Sequence, residues 1–439
     1  MSTPPPGYQI TNITLIDVEE GAAIPGQTVT IVGERIEWTG PQGEPALPEG
    51  AQNVDGHGLY LMPGLVDAHV HYLDAPVFGR LMLANGVTLV RDMGMPTEMI
   101  LSLREALNRG ELLGPQMIAA GAMLDGNPPL IPLISIGIET PEQGRSVVRQ
   151  QVEAGVDFIK VYSRLGREVF LAIVAEAHQC GFKAAGHVPD SIYLEEAAAA
   201  GQASGEHFFG FEKVIARLLG EPVEFTYTGM GSQAHYLQRL GEVPPDALQQ
   251  FYDRIRRSGM TICPTVVTFK VGTRYKAIKS GDIPHREFIS PMVMGIWASM
   301  WAQQDDLGEY IWQGWAQMVR GLHQAGVPLM VGTDLMVPGI FPGYAVHEEM
   351  AIWQEAGIPP VDVLRSATLI PARFMGLGDR LGSVSPGKTA SLVLVRANPL
   401  DDIRNAQQIE SVFLRGQYFA REALTGLLDE AMSLAQAAS

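Results

Sequence analysis

Short runs in which apolar and polar residues alternate mark both ends of this chain, while apolar positions in the middle recur with helical spacing. From residue 8 to about 60, QITNITLIDV and TVTIVGERIEWTG read as strands separated by Gly/Pro-rich turns. GSVSPG, ASLVLVRANP and IESVFLRGQYF repeat that texture near the far end. The pattern predicts a small β-sandwich built from residues 1–60 and 376–425, with residues 61–375 inserted between its halves. Within that insertion, apolar strand candidates fall at 65–71, 87–94, 115–121, 157–163, 183–188, 204–208, 261–267 and 328–334. Amphipathic segments such as TPEQGRSVVRQQVEAG and REVFLAIVAEAHQCG separate most of them and end at glycine. Eight strands alternating with helices predict an α/β fold with a parallel sheet, closed as a (β/α)8 TIM barrel.

Residues 211–325 are too long for a single crossover and carry extra helical matter rich in Met and Trp. Trp297 and Trp301 are four apart, as are Met292 and Ile296, the spacing of a helix that buries one face. That segment reads either as packing core or as a lid over the barrel mouth.

Composition narrows the partners. A hydrophobic content of 46% with 18% charged residues describes a globular chain, and the net charge of -17 argues against nucleic acid or an anionic membrane as partner. No apolar run reaches the roughly 20 residues of a membrane span. The start, MSTPPPGYQI, has neither the basic nor the apolar region of a signal peptide. Cys180 and Cys263 are the only cysteines and imply no disulfide framework. A cytoplasmic protein is expected, a homo-oligomer acting on a small molecule.

Chemistry concentrates in LMPGLVDAHVHYLD. His69 and His71, two apart in a strand, project from one face and can bind one divalent metal together. Alone, that pair is weak evidence. Lys160, His187, His207 and Asp334 strengthen it, because each ends a predicted strand, where barrel enzymes place their sites. His57, His178, His235, His285 and His323 fall in turns or helices and read as ordinary. Lys160 cannot ligate as an ammonium, which has donors only. Buried among imidazoles it would lose its proton, and the neutral amine could add carbon dioxide to give an anionic carbamate. The alternative is a lysine salt-bridged beneath the barrel mouth.

In this order, GLVDAHVH, IKVY, GHV, GEHF and GTD resemble the amidohydrolase superfamily, in its binuclear branch with a carboxylated lysine. HEEMAIWQEAGIPPVDVLRSATLIPARFMGLGDRLGSVSPGK extends the resemblance to imidazolonepropionase-like and Xaa-Pro dipeptidase-like members. The resemblance implies two divalent ions, zinc by default with manganese, cobalt or iron as alternatives. His69, His71 and Asp334 would bind the buried ion, His187 and His207 the exposed one, and the Lys160 carbamate would bridge them. Asp334 would then shuttle the proton from the attacking water to the leaving amine.

Three further residues carry expectations of their own. Tyr162, on the face of Lys160, could bond a substrate carboxylate or developing oxyanion, or simply pack its ring. Asp67 is a candidate acceptor for an imidazole N–H. His347 opens the helix after strand eight, where a cap or solvent position is expected, while Tyr227 and Arg274 could reach the mouth from the inserted region. Related mononuclear deaminases carry His-x-x-Glu on strand five and lack the strand-four lysine, whereas this chain has Asp190 and Lys160. The family's usual Ala-Asp-Leu is Ala390-Ser391-Leu392 here, outside the catalytic region. Amide hydrolysis is therefore expected, of an N-acyl amino acid or X-Pro dipeptide. Cyclic amide, lactone or organophosphate hydrolysis and a non-catalytic scaffold are the other readings.

Overall fold

The computed structural model describes residues 7–223, 235–301, 308 and 310–437. The fold is mixed α/β, and its central strands are parallel. Leu65–Val70 pairs with Val87–Asp92, which pairs with Gln116–Ala119. A second set runs Ile159–Val161, Ala184–Gly186, Ser204–Glu206 and Thr261–Cys263. Main-chain hydrogen bonds join the two sets. The Asp157 N–H donates to the Ala119 carbonyl at 2.9 Å, and residues 328–334 link Thr261–Cys263 to Leu65–Val70 through Met330 N–H to the Ile262 carbonyl (2.9 Å) and Ala68 N–H to the Val331 carbonyl (2.9 Å). The segment 328–334 is thus bonded to both sets, and Asp157, two residues before Ile159–Val161, also joins them. All six residues of Leu65–Val70 and of Val87–Asp92 are buried, as expected for parallel strands covered on both faces.

Some predicted strands differ in extent. Residues 328–334 make only isolated bridges, Ile262 with Leu329 and Val70 with Leu335 just beyond. Gly332 runs so close to its neighbours that an added Cβ would lie 2.5 Å from the Cys263 Sγ and 2.9 Å from the His69 Cβ. The 261–267 strand ends at Cys263, and Val266–Gly272 is a helix despite its β-branched residues. Met123–Gly126 and Ser135–Ile138 form a parallel pair that the sequence pattern did not indicate. Helix Pro141–Ala154 begins at a capping box, Thr140 with Gln143, and ends at left-handed Gly155, so its sequence signals match its bounds.

Both chain ends supply strands to one continuous eight-stranded sheet. Tyr60–Pro63 lies between Gly7–Asp17, parallel to it, and Leu392–Val395, antiparallel. Ile10, Ile13, Val29, Ile31, Leu61, Leu392, Leu394 and Phe413 form a core of its own. The terminal helix Arg421–Ala437 packs on helix Ala75–Ala84, with Arg80 paired to Glu430 at 2.7 Å.

In the inserted region, Pro291–Trp301 is helical, but its buried stripe is Val293 and Trp297, while Met292 is exposed. The apolar spacing located the helix and the buried Trp297, but Met292 and Ile296 do not share its buried face. Tyr227 lies outside the described residues. Among the described residues, no helix is long and apolar enough to cross a membrane.

Candidate metal centre

The carboxyl ends of the parallel strands bring the sequence-predicted residues to one place. The Asp334 Oδ1 lies 3.4 Å from the His69 Nε2 and 3.5 Å from the His71 Nε2, and its Oδ2 lies 3.9 Å from the His207 Nε2. Ring centroids of His69 and His207 are 4.3 Å apart, and those of His187 and His207 5.0 Å apart. Lys160 is 1% exposed, with its Nζ 5.8 Å from the Tyr162 ring centroid. Tyr162 and Phe209 both lie against the His187 ring, at 4.1 and 4.2 Å. His69, His71 and Asp334 offer ligand atoms within 4.8 Å of one another, a spacing that can hold a cation.

Each imidazole is oriented through its Nδ1. Partners are the Glu206 Oε2 for His69 (2.8 Å), the Gly94 carbonyl for His71 (2.7 Å), the Ser163 Oγ for His187 (2.8 Å) and the Thr265 Oγ1 for His207 (2.6 Å). A carbonyl or carboxylate can only accept, so His69 and His71 carry their proton on Nδ1 and present the Nε2 lone pair to the centre. The hydroxyl partners of His187 and His207 allow the same tautomer. Orientation of the outer nitrogen in this way is what metal-binding histidines require.

Two buried polar atoms at the centre, the His69 Nε2 and the Lys160 Nζ, have no hydrogen-bond partner among the described residues. Each such atom costs about 1–3 kcal/mol. A divalent cation would satisfy the imidazole lone pair. The donor set of imidazoles and one carboxylate fits such ions.

For His69, His187 and His207, electrostatics favour the neutral, ligating imidazole. Burial, aided by the neighbouring Lys160 and His207, holds the His69 and His187 imidazoles well below their ordinary range, and burial brings His207 down to about 4. For His71, burial is opposed and outweighed by Asp334, so its pKa is raised. Burial lowers Lys160 to about 8. Burial alone would raise the Asp334 carboxyl, but His207, His71 and His69 outweigh it and hold the group well below the usual carboxylate range.

Backbone strain gathers at the same place. Of eight non-glycine residues with positive φ among those described, five are His207, Phe208, Thr265, Asp334 and Met336. The left-handed region costs such residues on the order of 1–2 kcal/mol each. At His207 the turn has a clear use. Strand alternation would send Glu206 and His207 to opposite faces, and φ of 55° lets both side chains meet the centre.

Glu206 is the residue the sequence reading missed. It is fully buried, takes both oxygens to the Arg91 guanidinium at 2.9 and 3.0 Å, and accepts from the Ser204 Oγ at 2.5 Å. Burial alone would raise its carboxyl, but Arg91 and His69 hold it well below the usual range. A carboxylate two residues after Ser204, in a strand otherwise of small residues, is the signal that could have found it.

Asp67 does not take an imidazole N–H. It accepts the main-chain N–H of His69 at 3.2 Å, and the N–H and hydroxyl of Thr333 at 3.0 and 2.6 Å. His347 is neither a cap nor solvent-facing. It is 4% exposed, inside helix Tyr344–Glu355, with its Nε2 on the Asn85 carbonyl at 2.9 Å. Arg274 is spent on a surface pair with Asp282. Glu206→Gln is expected to lower stability by about 3–5 kcal/mol, because it leaves the Arg91 charge buried without its counter-ion. Chemical denaturation checks this, and an unchanged midpoint would refute it.

Imidazoles and a carboxylate converging at the ends of parallel strands define a metal-binding α/β protein. Residues 60–226 and 293–418 match the amidohydrolase family, and the chain belongs to that family. An adenine deaminase of Mesorhizobium japonicum is 24% identical over 439 residues, covering 96% of this chain and 58% of that protein. The chain therefore spans less than two thirds of that relative's length. Bottromycin amidohydrolase is similar in structure, with a TM-score of 0.77, 98% of this chain and 91% of that one covered, and 24% identity. A Xaa-Pro dipeptidase with methionine in its active site gives a TM-score of 0.67 at 20% identity, covering 94% of this chain and all of that one. At these identities the two structures speak to the fold alone.

Proposed function

We propose that this protein is a metal-dependent hydrolase of amide bonds in small, partly apolar substrates, with an N-acyl amino acid or X-Pro dipeptide as the leading candidate. Its central domain, residues 61–375, is read as a (β/α)8 barrel, and residues 1–60 with 376–425 as a sandwich unit. The observation that carries the reading is the unpartnered pair, the His69 Nε2 and the Lys160 Nζ, within a ring of histidines oriented through their Nδ1 atoms. His69, His71 and Asp334 would hold one divalent ion, His187 and His207 a second, with Lys160 as its carbamate between them. Zinc is the first candidate, then manganese, cobalt or iron. Bound there, the ions would make water acidic enough to attack at neutral pH and would polarise the scissile carbonyl.

The chain's own groups do the rest. Asp334 accepts the proton as water attacks and returns it to the departing amine. Tyr162 donates its hydroxyl to the substrate carboxylate or to the developing oxyanion. Glu206 keeps the His69 ring in its ligating tautomer. Purified protein is expected to contain about two divalent ions per chain. A chelator should remove them, abolish hydrolysis and lower the melting temperature. Less than one ion per chain after supplementation with zinc, manganese or cobalt supports the scaffold reading instead.

Two other readings keep support. The adenine deaminase relative favours deamination. Against it stand Lys160 in the centre and Asp190 at the position where mononuclear deaminases carry glutamate. Cyclic amide, lactone or organophosphate hydrolysis would use the same centre. Ammonia release from adenine, measured beside amine release from X-Pro dipeptides and N-acyl amino acids, separates these activities.

A further inference from the structure

Glu349 sits on helix Tyr344–Glu355, after the loop that follows Asp334, and is fully buried. Its Oε1 accepts from the Val266 N–H at 3.0 Å and from the Trp353 indole N–H at 2.8 Å, and its Oε2 accepts from the Val267 N–H at 2.6 Å. Those two main-chain donors directly follow Thr265. Thr265 is β-branched, yet it adopts φ 49° and ψ 48°, a conformation its side chain disfavours. Its hydroxyl is the partner of the His207 Nδ1 at 2.6 Å. On the other side of the turn, the Thr265 carbonyl accepts from the Thr268 N–H at 3.1 Å and hydroxyl at 2.8 Å.

We infer that Glu349 is a positioning residue for His207, acting through Thr265. The carboxylate grips the two amides after the strained turn, and the turn aims the hydroxyl at the imidazole. It also ties the helix behind Asp334 to the loop that orients His207, and so sets the spacing between the Asp334 Oδ2 and the His207 Nε2, 3.9 Å. Nothing in the sequence pattern marks this link, since Glu349 is one of two adjacent glutamates on an amphipathic helix. The inference rests on the proposed two-ion centre, in which His207 serves the second ion.

The test uses full-length protein, stripped with a chelator and titrated with cobalt(II), whose absorption reports each site. Glu349→Gln keeps the volume but leaves one acceptor oxygen where two are needed. Thr265→Val keeps the shape and removes the hydroxyl, and Thr265→Ser keeps the hydroxyl. Glu349→Gln and Thr265→Val are expected to bind the first ion as the wild type does and the second about 10–100-fold more weakly. Thr265→Ser should stay close to wild type. In metal-free protein, nitrogen-15 NMR should find His207 protonated on Nδ1 in the wild type and in a mixture of tautomers in the two impaired variants.

Wild-type affinity for the second ion in Glu349→Gln, with only a lower melting temperature, overturns the inference and leaves Glu349 a packing residue. If that variant does not fold, the Thr265 pair decides, and an unaffected second site in Thr265→Val overturns the inference equally. A wild-type protein that takes up only one ion overturns the two-ion reading and this inference together.

Discussion

Lys160→Ala is expected to abolish turnover and to leave at most one tightly held ion per chain. The Lys160 amine is deeply buried, without a hydrogen-bond partner among the described residues, and within electrostatic reach of His69, His187, His207, Glu206 and Asp334. Burial lowers it to about 8, so roughly a tenth of the amine is neutral at pH 7, against less than a thousandth for a free lysine. In the proposed carbamate, the neutral nitrogen would attack the carbon of carbon dioxide, forming a C–N bond as one C–O π bond opens, with one proton leaving to solvent. The product would carry two oxygens and a negative charge in place of the lysine ammonium. Alanine removes both oxygens at once. A short carboxylic acid filling the space should restore part of the activity to Lys160→Ala. Full activity in the variant, with two ions still bound, would exclude the carbamate and return Lys160 to the role of a buried salt-bridge lysine.

Asp334→Asn should keep the fold and cut the rate by more than the roughly 10²-fold typical of a lost general base. The excess is expected because Asp334 stands against three imidazoles and, in the proposed mechanism, would have two tasks, proton transfer and ligation. Its main-chain N–H donates to the His69 carbonyl at 2.8 Å, an anchor that the asparagine retains. Near-native melting with the loss falling on kcat is the expected result. Wild-type kcat in this variant would take Asp334 out of proton transfer.

What could be read from the sequence follows from what each residue depends on. His69 and His71 are legible because one strand sets both, and a two-residue period needs no tertiary knowledge. Helix Pro141–Ala154 is legible for the same reason, with a cap at one end and glycine at the other. Glu206 was not legible, because alternation assigns it to the face away from His207 and only a left-handed backbone at His207 cancels that rule. Val266 and Val267 read as the end of the 261–267 strand, but the turn at Thr265 and a carboxylate from a distant helix start the helix Val266–Gly272 there. In Pro291–Trp301 the burial of Trp297 was legible, but that of Met292 was misread because the helix carries no charged residue to mark its solvent side.

The pairing of Tyr60–Pro63 with Leu392–Val395 has a consequence for how the molecule comes into being. On the ribosome, the early strands emerge with an open edge, and the strand that covers it is made only after the entire catalytic region has been translated. Closing so long a loop slows folding, and a bare edge invites pairing with other chains. Nascent protein cut short before Leu392 should therefore aggregate through its own N-terminal strands, even where its central region is otherwise complete.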